Sequence, residues 1–334
     1  MRNRTRVYGL LLAALAAGCA GRDRPVPMVK AGDYRISGPY THSNLDVFLI
    51  HGKDRMPTGN ILTLEEALAS GDFVVHETSN VQKLQVENKS AESYIYLQAG
   101  EMLKGGKQDR TLQEDHIVPP ESGKMPIASF CVEQGRWGKR DRDPENWFRH
   151  GGHSHSHRML HAIRLKASQG AVWDEVANVQ TMITKGTGES VRSETSPTSL
   201  HLSLKHRKLK EMIEPYKKAL SGVADGKPDT IGFAVAVNGK ILGADVYGSH
   251  KLFAKLWPGM LTAAIQEAFA ERHRSPEARV VGAFMLAVQK GKETGKKLPG
   301  GSRTVRRESE AGVLFKLLLR EQKASGVHEG YISK

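Results

Sequence analysis

Between residues 44 and 133, apolar and polar positions alternate with a period near two, the rhythm of half-buried strands. The runs NLDVFLIH (44–51), FVVHET (73–78), VQKLQVEN (81–88), SYIYLQAGEML (93–103), EDHIVP (114–119) and MPIASFCVE (125–133) are separated by turn residues. That spacing predicts a largely antiparallel sheet or a small sandwich. One short helix interrupts it at 64–69, with Thr63 as N-cap and Glu66 three residues on, the spacing of a capping box. Gly71 is placed to end that helix.

After residue 138 the pattern changes. Residues 139–157 are polar and read as an exposed loop. From 159 to 185 the period lengthens to that of a helix, with Val172, Val176, Val179 and Ile183 on one face and Trp173 turned toward the core. Asp174 and Glu175 complement the amino end of that helix, and 206–220 form a second amphipathic helix. Two strands, 231–237 and 240–246, flank Asn238-Gly239, the strongest short-range hairpin signal. Residues 252–272 read as helical, with Pro258 in a new first turn near the front. Residues 290–307 are basic, Gly-rich and flexible, and 311–323 form a last helix docked on the body. Strands, helices, a hairpin and more helices predict an α+β fold, in which helices and a hairpin of the C-terminal half pack on the sheet of the N-terminal half.

The first residues bear on location. Arg2, Arg4 and Arg6 precede an apolar run over 10–17, far short of the roughly 20 residues that span a bilayer, so 1–18 read as a signal peptide. Leu15-Ala16-Ala17-Gly18-Cys19 resembles a bacterial lipobox, cut before Cys19 so that the cysteine carries lipid. The absence of an Arg-Arg pair in this segment favours the general secretory route. Ala20, rather than Asp, favours the outer membrane, facing the periplasm. The chain then divides into a lipidated tether at 19–32, an α+β domain at 33–285, a basic flexible segment at 286–309, and a helix and tail at 310–334. The expected partner is the membrane, through lipid on Cys19. Hydrophobic residues make up 39% of 334 residues, enough for a sizeable core, and the formal net charge of +13 favours anionic partners. Nucleic acid is not expected for an exported chain without an aromatic-and-basic binding module.

Candidate chemistry concentrates in residues 99–137. Ile95, Leu97, Ala99 and Glu101 share a strand face that ends in a carboxylate, and Ser129, Cys131 and Glu133 lie opposite Phe130 and Val132. If these strands are neighbours, Glu101, Cys131 and Glu133 border one pocket. Cys131, with Cys19 lipidated, has no disulfide partner and reads as a buried small hydrophobe rather than a nucleophile. Gly105-Gly106-Lys107-Gln108 fits either an anion-cradling turn, with Lys107 and Arg110 as counter-charges, or a plain tight turn. It departs from the P-loop pattern, with Gly at 106 where Lys is required. His150, His153, His155, His157 and His161 offer imidazoles, but without a carboxylate or thiolate at ligand spacing. No metal site and no cofactor is assigned from them.

The strings AGEMLKGGKQDRTL, PIASFCVEQGRW, QGAVWDEV and TSPTS, in that order, resemble the ARG and Rhodanese-Phosphatase-superfamily-associated Protein domain family, where ARG stands for ADP-ribosylglycohydrolase. The resemblance covers roughly 45–269, and the family pattern has Asn where this chain has Asp109. It implies a ligand pocket with Lys107 and Arg110 on phosphates, Gln108 and Glu133 on hydroxyls or amides, and Trp137 as a stacking face. Glu101, Gly105, Gly106 and Arg136 complete the implied site. The expectation is an envelope lipoprotein that binds a phosphorylated or nucleotide-sugar-like ligand, with Glu133 or Glu101 as general base if a reaction follows. Its rivals are a non-catalytic interaction module and a periplasmic metal-binding protein.

Overall fold

The computed structural model describes residues 27–56, 60–138, 147–153, 156–268, 275–319 and 326–334. The expected signal peptide and the expected lipidation site, Cys19, lie outside the described residues, as does His155. Among the described residues no helix is long and apolar enough to cross a membrane.

The architecture is α+β. Its largest element is a nine-stranded sheet in the order Met28–Ala31, Tyr34–His42, Leu45–His51, Thr230–Val237, Lys240–Tyr247, Gly326–Ser333, Gly312–Leu319, Ser302–Glu308 and Lys292–Lys297. Every neighbour in it is antiparallel. The strand Leu45–His51 shows how the sheet is covered. Val47 and Leu49 point into a core shared with the helices Gln169–Thr187, Arg207–Leu220 and His250–Ile265. Phe48 and Ile50 point the other way, against Val281 and Met285 of the helix Ala278–Gln289. Alternation by two therefore feeds two cores rather than one core and solvent.

A second lobe is built from a six-stranded sheet, ordered Phe148–His153, Glu101–Gly105, Arg110–Leu112, Gly123–Cys131, Lys83–Asn88 and Phe73–Asn80. A three-stranded sheet of His116–Val118, Tyr94–Leu97 and Ile61–Thr63 faces it, and Val75, Val86, Leu97, Leu103 and Ile127 fill the space between.

Several local readings hold. Thr63 and Glu66 form the capping box of Leu64–Ser70, and Gly71 ends that helix in the left-handed region. Asn238 and Gly239 both take positive φ, joining two strands of the large sheet. Val172, Val176, Val179 and Ile183 are the buried face of Gln169–Thr187.

Others are corrected. The run 93–103 is two strands in two sheets, because Gly100, at φ 85°, turns the chain between them. Residues 148–153 are not loop but a strand, paired with Glu101–Gly105. Ala167 in the left-handed region and Ser168 as N-cap divide the expected helix of 159–185. Trp173 is half-buried, one position and so about 100° around from the core-facing Val172. Pro258 lies inside a continuous helix, His250–Ile265, rather than at a first turn. The basic segment forms the hairpin Lys292–Lys297 and Ser302–Glu308, whose charged outer strand suits a sheet edge. The expected last helix is the strand Gly312–Leu319. Its run VLFKLLL is apolar on both faces, which period alone does not separate from a buried helix. The tether's end, Met28–Ala31, pairs with Tyr34–His42.

Leu314 is fully buried against the cluster that holds Val281 and Met285. Leu314→Ala should cost about 2–5 kcal/mol of stability, read from urea unfolding by circular dichroism. A loss below about 1 kcal/mol would place this strand outside the core.

Candidate functional site

Cross-strand pairing sets Cys131 opposite Arg110 and so gathers the polar motif beneath the surface of the six-stranded sheet. Arg110 is fully buried, and its guanidinium donates to Glu77 Oε1 at 3.1 Å, to Gln108 Oε1 at 3.2 Å and to Cys131 Sγ. Burial pushes the Cys131 thiol up to about 11 even with Arg110 beside it, so the sulfur packs as a thiol. Glu133 is likewise buried, accepting from Ser196 Oγ, from Arg136 Nε at 2.7 Å and from the Asp109 amide at 3.2 Å. Gln108 Nε2 donates to the Glu133 carbonyl at 2.9 Å.

The Gly105-Gly106 turn has a packing reason. A Cβ on Gly105 would meet the Trp147 carbonyl oxygen at 2.0 Å, and one on Gly106 would meet the Phe148 ring at 2.3 Å. The amides of Gly105, Gly106 and Lys107 donate to Asp109 Oδ1, Trp147 O and Glu77 Oε2. These three amides thus face protein oxygens, as in the plain tight turn that is the alternative to an anion cradle. Lys107 Nζ donates to Ser79 Oγ at 2.9 Å and sits 5.2 Å from the ring centre of Trp137, which is 48% exposed. Lys107 and Trp137 form the outer edge of the network, while Arg110 and Gln108 are inside it.

Glu101 goes elsewhere. It opens the strand Glu101–Gly105 and stands directly across from His153, while His150 pairs with Leu103. Three steps along one strand thus match two along the other. This bulge, at Gly151-Gly152, undoes the alternation that would otherwise send His150 and His153 to opposite faces. Glu101 is buried, with Oε2 accepting from the Gln98 amide at 2.7 Å and Oε1 3.6 Å from His150 Nε2. Donor atoms of Glu101, His150 and His153 all lie within 4.8 Å of one another. Burial pulls His150 toward neutrality, but Glu101 and Glu65 outweigh it and hold its protonation range above the usual one.

These three residues line a cleft of about 490 Å³, together with His201, Lys205, Lys217 and Lys255. Glu101 is the one sequence-nominated site residue that lines this cleft, among the described residues. His201 is carried on the short helix Leu200–Leu204. Its Nδ1 donates to the Gly151 carbonyl at 2.9 Å, which leaves Nε2 as the bare nitrogen. That Nε2 is buried without a hydrogen-bond partner, and burial lowers the ring's pKa. Burial, Lys104 and Lys210 likewise depress Lys205. Gly259 lets His153 lie against the helix His250–Ile265, where a Cβ would come within 2.4 Å of its Nε2. His157 leaves the group, meeting Ser333 instead. The chain carried a signal for His150 and His153 in the spacing HGGH, but none for the distant His201 and lysines.

A family model described as the ARG and Rhodanese-Phosphatase-superfamily-associated Protein domain, ARPP-1, matches residues 33–328. The chain belongs to this family. No curated protein and no solved structure matches it. The ARPP-1 match takes in the strands after residue 286 that the sequence set apart as a separate segment.

Beneath the cleft of this ARPP-1 domain the polar groups continue inward. Gln98 Nε2 donates to Tyr247 Oη at 3.1 Å, and Tyr247 stacks on His328 with ring centres 5.0 Å apart. His328 is buried between Asp115 Oδ2 at 3.2 Å and Asp245 Oδ1 at 2.9 Å. Burial alone would lower His328, but Asp115 and Asp245 raise it to about 9. Burial would raise Asp115, yet Arg164 and His328 hold it well below the usual carboxylate range.

Two outcomes follow from these networks. Arg110→Met strands the buried Glu77 carboxylate and should cost about 3–5 kcal/mol without any ligand present, measured by urea denaturation. An unchanged midpoint would remove Arg110 from the structural network. For His328 the folded pKa exceeds the unfolded one, so its stabilisation is complete below pH 6.5 and is lost as pH rises through about 9. Thermal melts should show up to about 3 kcal/mol lost across that window, with a flatter profile in His328→Gln. Equal slopes in the two proteins would count against this role for His328.

Proposed function

We propose that this ARPP-1 protein is a lipid-anchored bacterial envelope protein that binds a phosphorylated, nucleotide-sugar-like ligand in the cleft above Glu101. The observation that carries the reading is the charge of the walls: Lys205, Lys217 and Lys255 converge on the cleft, against the carboxylates of Glu65 and Glu101. Lys255 is partly neutralised by Glu66 at 2.8 Å, which leaves Lys205 and Lys217 as the principal counter-charges for an anion. The depressed pKa of Lys205 reports crowding by burial and by like charges, and a bound phosphate relieves such crowding. The family description, with its reference to ARG and to a phosphatase superfamily, agrees with a ligand of this class. Cys19 at the lipobox supports placement on the membrane.

The motif residues 105–137 then act from below the cleft. Asp109 accepts from Ser199 Oγ, the cap of the helix that carries His201, and the Leu200 amide donates to the Val132 carbonyl. Glu101 remains the carboxylate that meets the ligand, while Glu133 holds the framework.

Thermal-shift titration with ADP-ribose, nucleotides and sugar phosphates in EDTA should raise the melting temperature, and uncharged sugars should not. Lys205→Ala with Lys217→Ala should weaken the binding about tenfold or more, since each lost contact with an ionised group is worth on the order of 1.5 kcal/mol. Stabilisation by none of these anions would sink the reading. So would stabilisation that is unaffected by the two substitutions.

A further inference from the structure

We propose that Glu101, His150 and His153 form a binding site for one divalent transition-metal ion of the zinc class, with its open coordination position facing the same cleft. The inference rests on the ligand reading above for the role of the ion, but not for its binding. Three observations carry it.

The first is convergence. One carboxylate and two imidazoles come within 4.8 Å of one another from two adjacent strands. An ion with bonds of about 2.1 Å holds tetrahedral donors roughly 3.4 Å apart, so modest side-chain rotation closes the set. His150 Nε2 and Glu101 Oε1, at 3.6 Å, are already near that spacing.

The second is how the convergence is produced. A regular strand would place His150 and His153 on opposite faces. The bulge at Gly151-Gly152 restores them to one face and sets His153 opposite Glu101. Gly152, at φ 91°, is in a conformation that side chains rarely adopt, and a Cβ on Gly151 would press on Met102 at 3.1 Å. The glycines of HGGH are therefore what allows two imidazoles to face one carboxylate.

The third is unmet hydrogen-bonding capacity. His201 Nε2 is buried without a hydrogen-bond partner, and the buried His150 Nε2 lies 3.6 Å from Glu101 Oε1, beyond hydrogen-bond length; both residues line the cleft. Such orphans in a native fold call for a missing partner. An ion would give His150 Nε2 its partner, and His201, with Nδ1 held by the Gly151 carbonyl, keeps Nε2 as an acceptor in the wall of the same cleft. The donor types favour zinc, nickel, cobalt or ferrous iron over magnesium or calcium, which prefer oxygen-only shells. The ion also adds positive charge where the phosphate of a ligand would complete its coordination.

The test uses the full mature chain, stripped with EDTA and dialysed, then titrated with ZnCl2 by calorimetry in a non-chelating buffer. The expected result is one equivalent bound, with affinity reduced at least 100-fold in the double variant His150→Ala, His153→Ala. Co2+ loading should give the visible absorption of a four- or five-coordinate ion, lost in His153→Asn. The variant His157→Ala, His161→Ala should leave both signals unchanged. Binding abolished by that second double variant, or stoichiometric binding that survives loss of His150 and His153, overturns the proposal. The proposal also fails if the unsubstituted protein, folded by circular dichroism, binds no zinc. If ADP-ribose stabilises the EDTA-treated protein and zinc does not bind, the metal site falls and the ligand reading stands. If zinc binds at one equivalent but ADP-ribose, nucleotides and sugar phosphates stabilise neither the EDTA-treated nor the zinc-loaded protein, the metal site stands and the ligand reading falls.

Discussion

A single buried carboxylate ties the candidate site together. Asp109 is removed from water, where an unpaired charge would be prohibitive, and its oxygens are met from three directions. The Gly105 amide fixes the turn after the strand of Glu101, Arg136 draws in the loop that follows Cys131, and Ser199 Oγ anchors the helix of His201. Each donor belongs to a different segment, so satisfying one charge fixes the relative positions of all three. Arg136 spans this arrangement, since it also binds Glu133 and the Gly106 carbonyl. Asn at position 109 would keep the shape and give up the ion pair with Arg136.

What was legible in the chain was what is decided locally. The capping box of Thr63 and Glu66, the Asn238-Gly239 hairpin and the valine face of Gln169–Thr187 each depend on a few neighbouring residues. The errors lie where distant packing decides. Gly312–Leu319 reads as a helix because both its faces are apolar, and both are apolar because the sheet is covered on two sides. Residues 148–153 read as solvent-exposed because their composition is polar, yet they pair with a strand almost fifty residues earlier.

The candidate site was half legible for a related reason. A dense string of polar residues looks the same whether its groups face a ligand or one another. In 105–137 they face one another, through Arg110, Gln108, Glu133 and Asp109. Strand parity was right in separating Cys131 and Glu133 from Phe130 and Val132, which enter the large core. It carried no information on what would occupy the opposite side. Glu101 was found because an apolar face ended in a charge, whereas Lys205, Lys217 and His201 come to the cleft only through the tertiary fold.

The order of strands in the large sheet has a bearing on how the molecule is made. Gly326–Ser333 and Gly312–Leu319 lie between Lys240–Tyr247 and the hairpin 292–308, so residues synthesised late complete the middle of the sheet rather than its rim. While these are missing, Lys240–Tyr247 presents an open edge, and Asp115 and Asp245 have no imidazole between them. A chain that emerges vectorially from its N-terminal end cannot close this sheet early. Closure of the sheet, and with it the pairing of His328 between Asp115 and Asp245, therefore waits on the strand Gly326–Ser333.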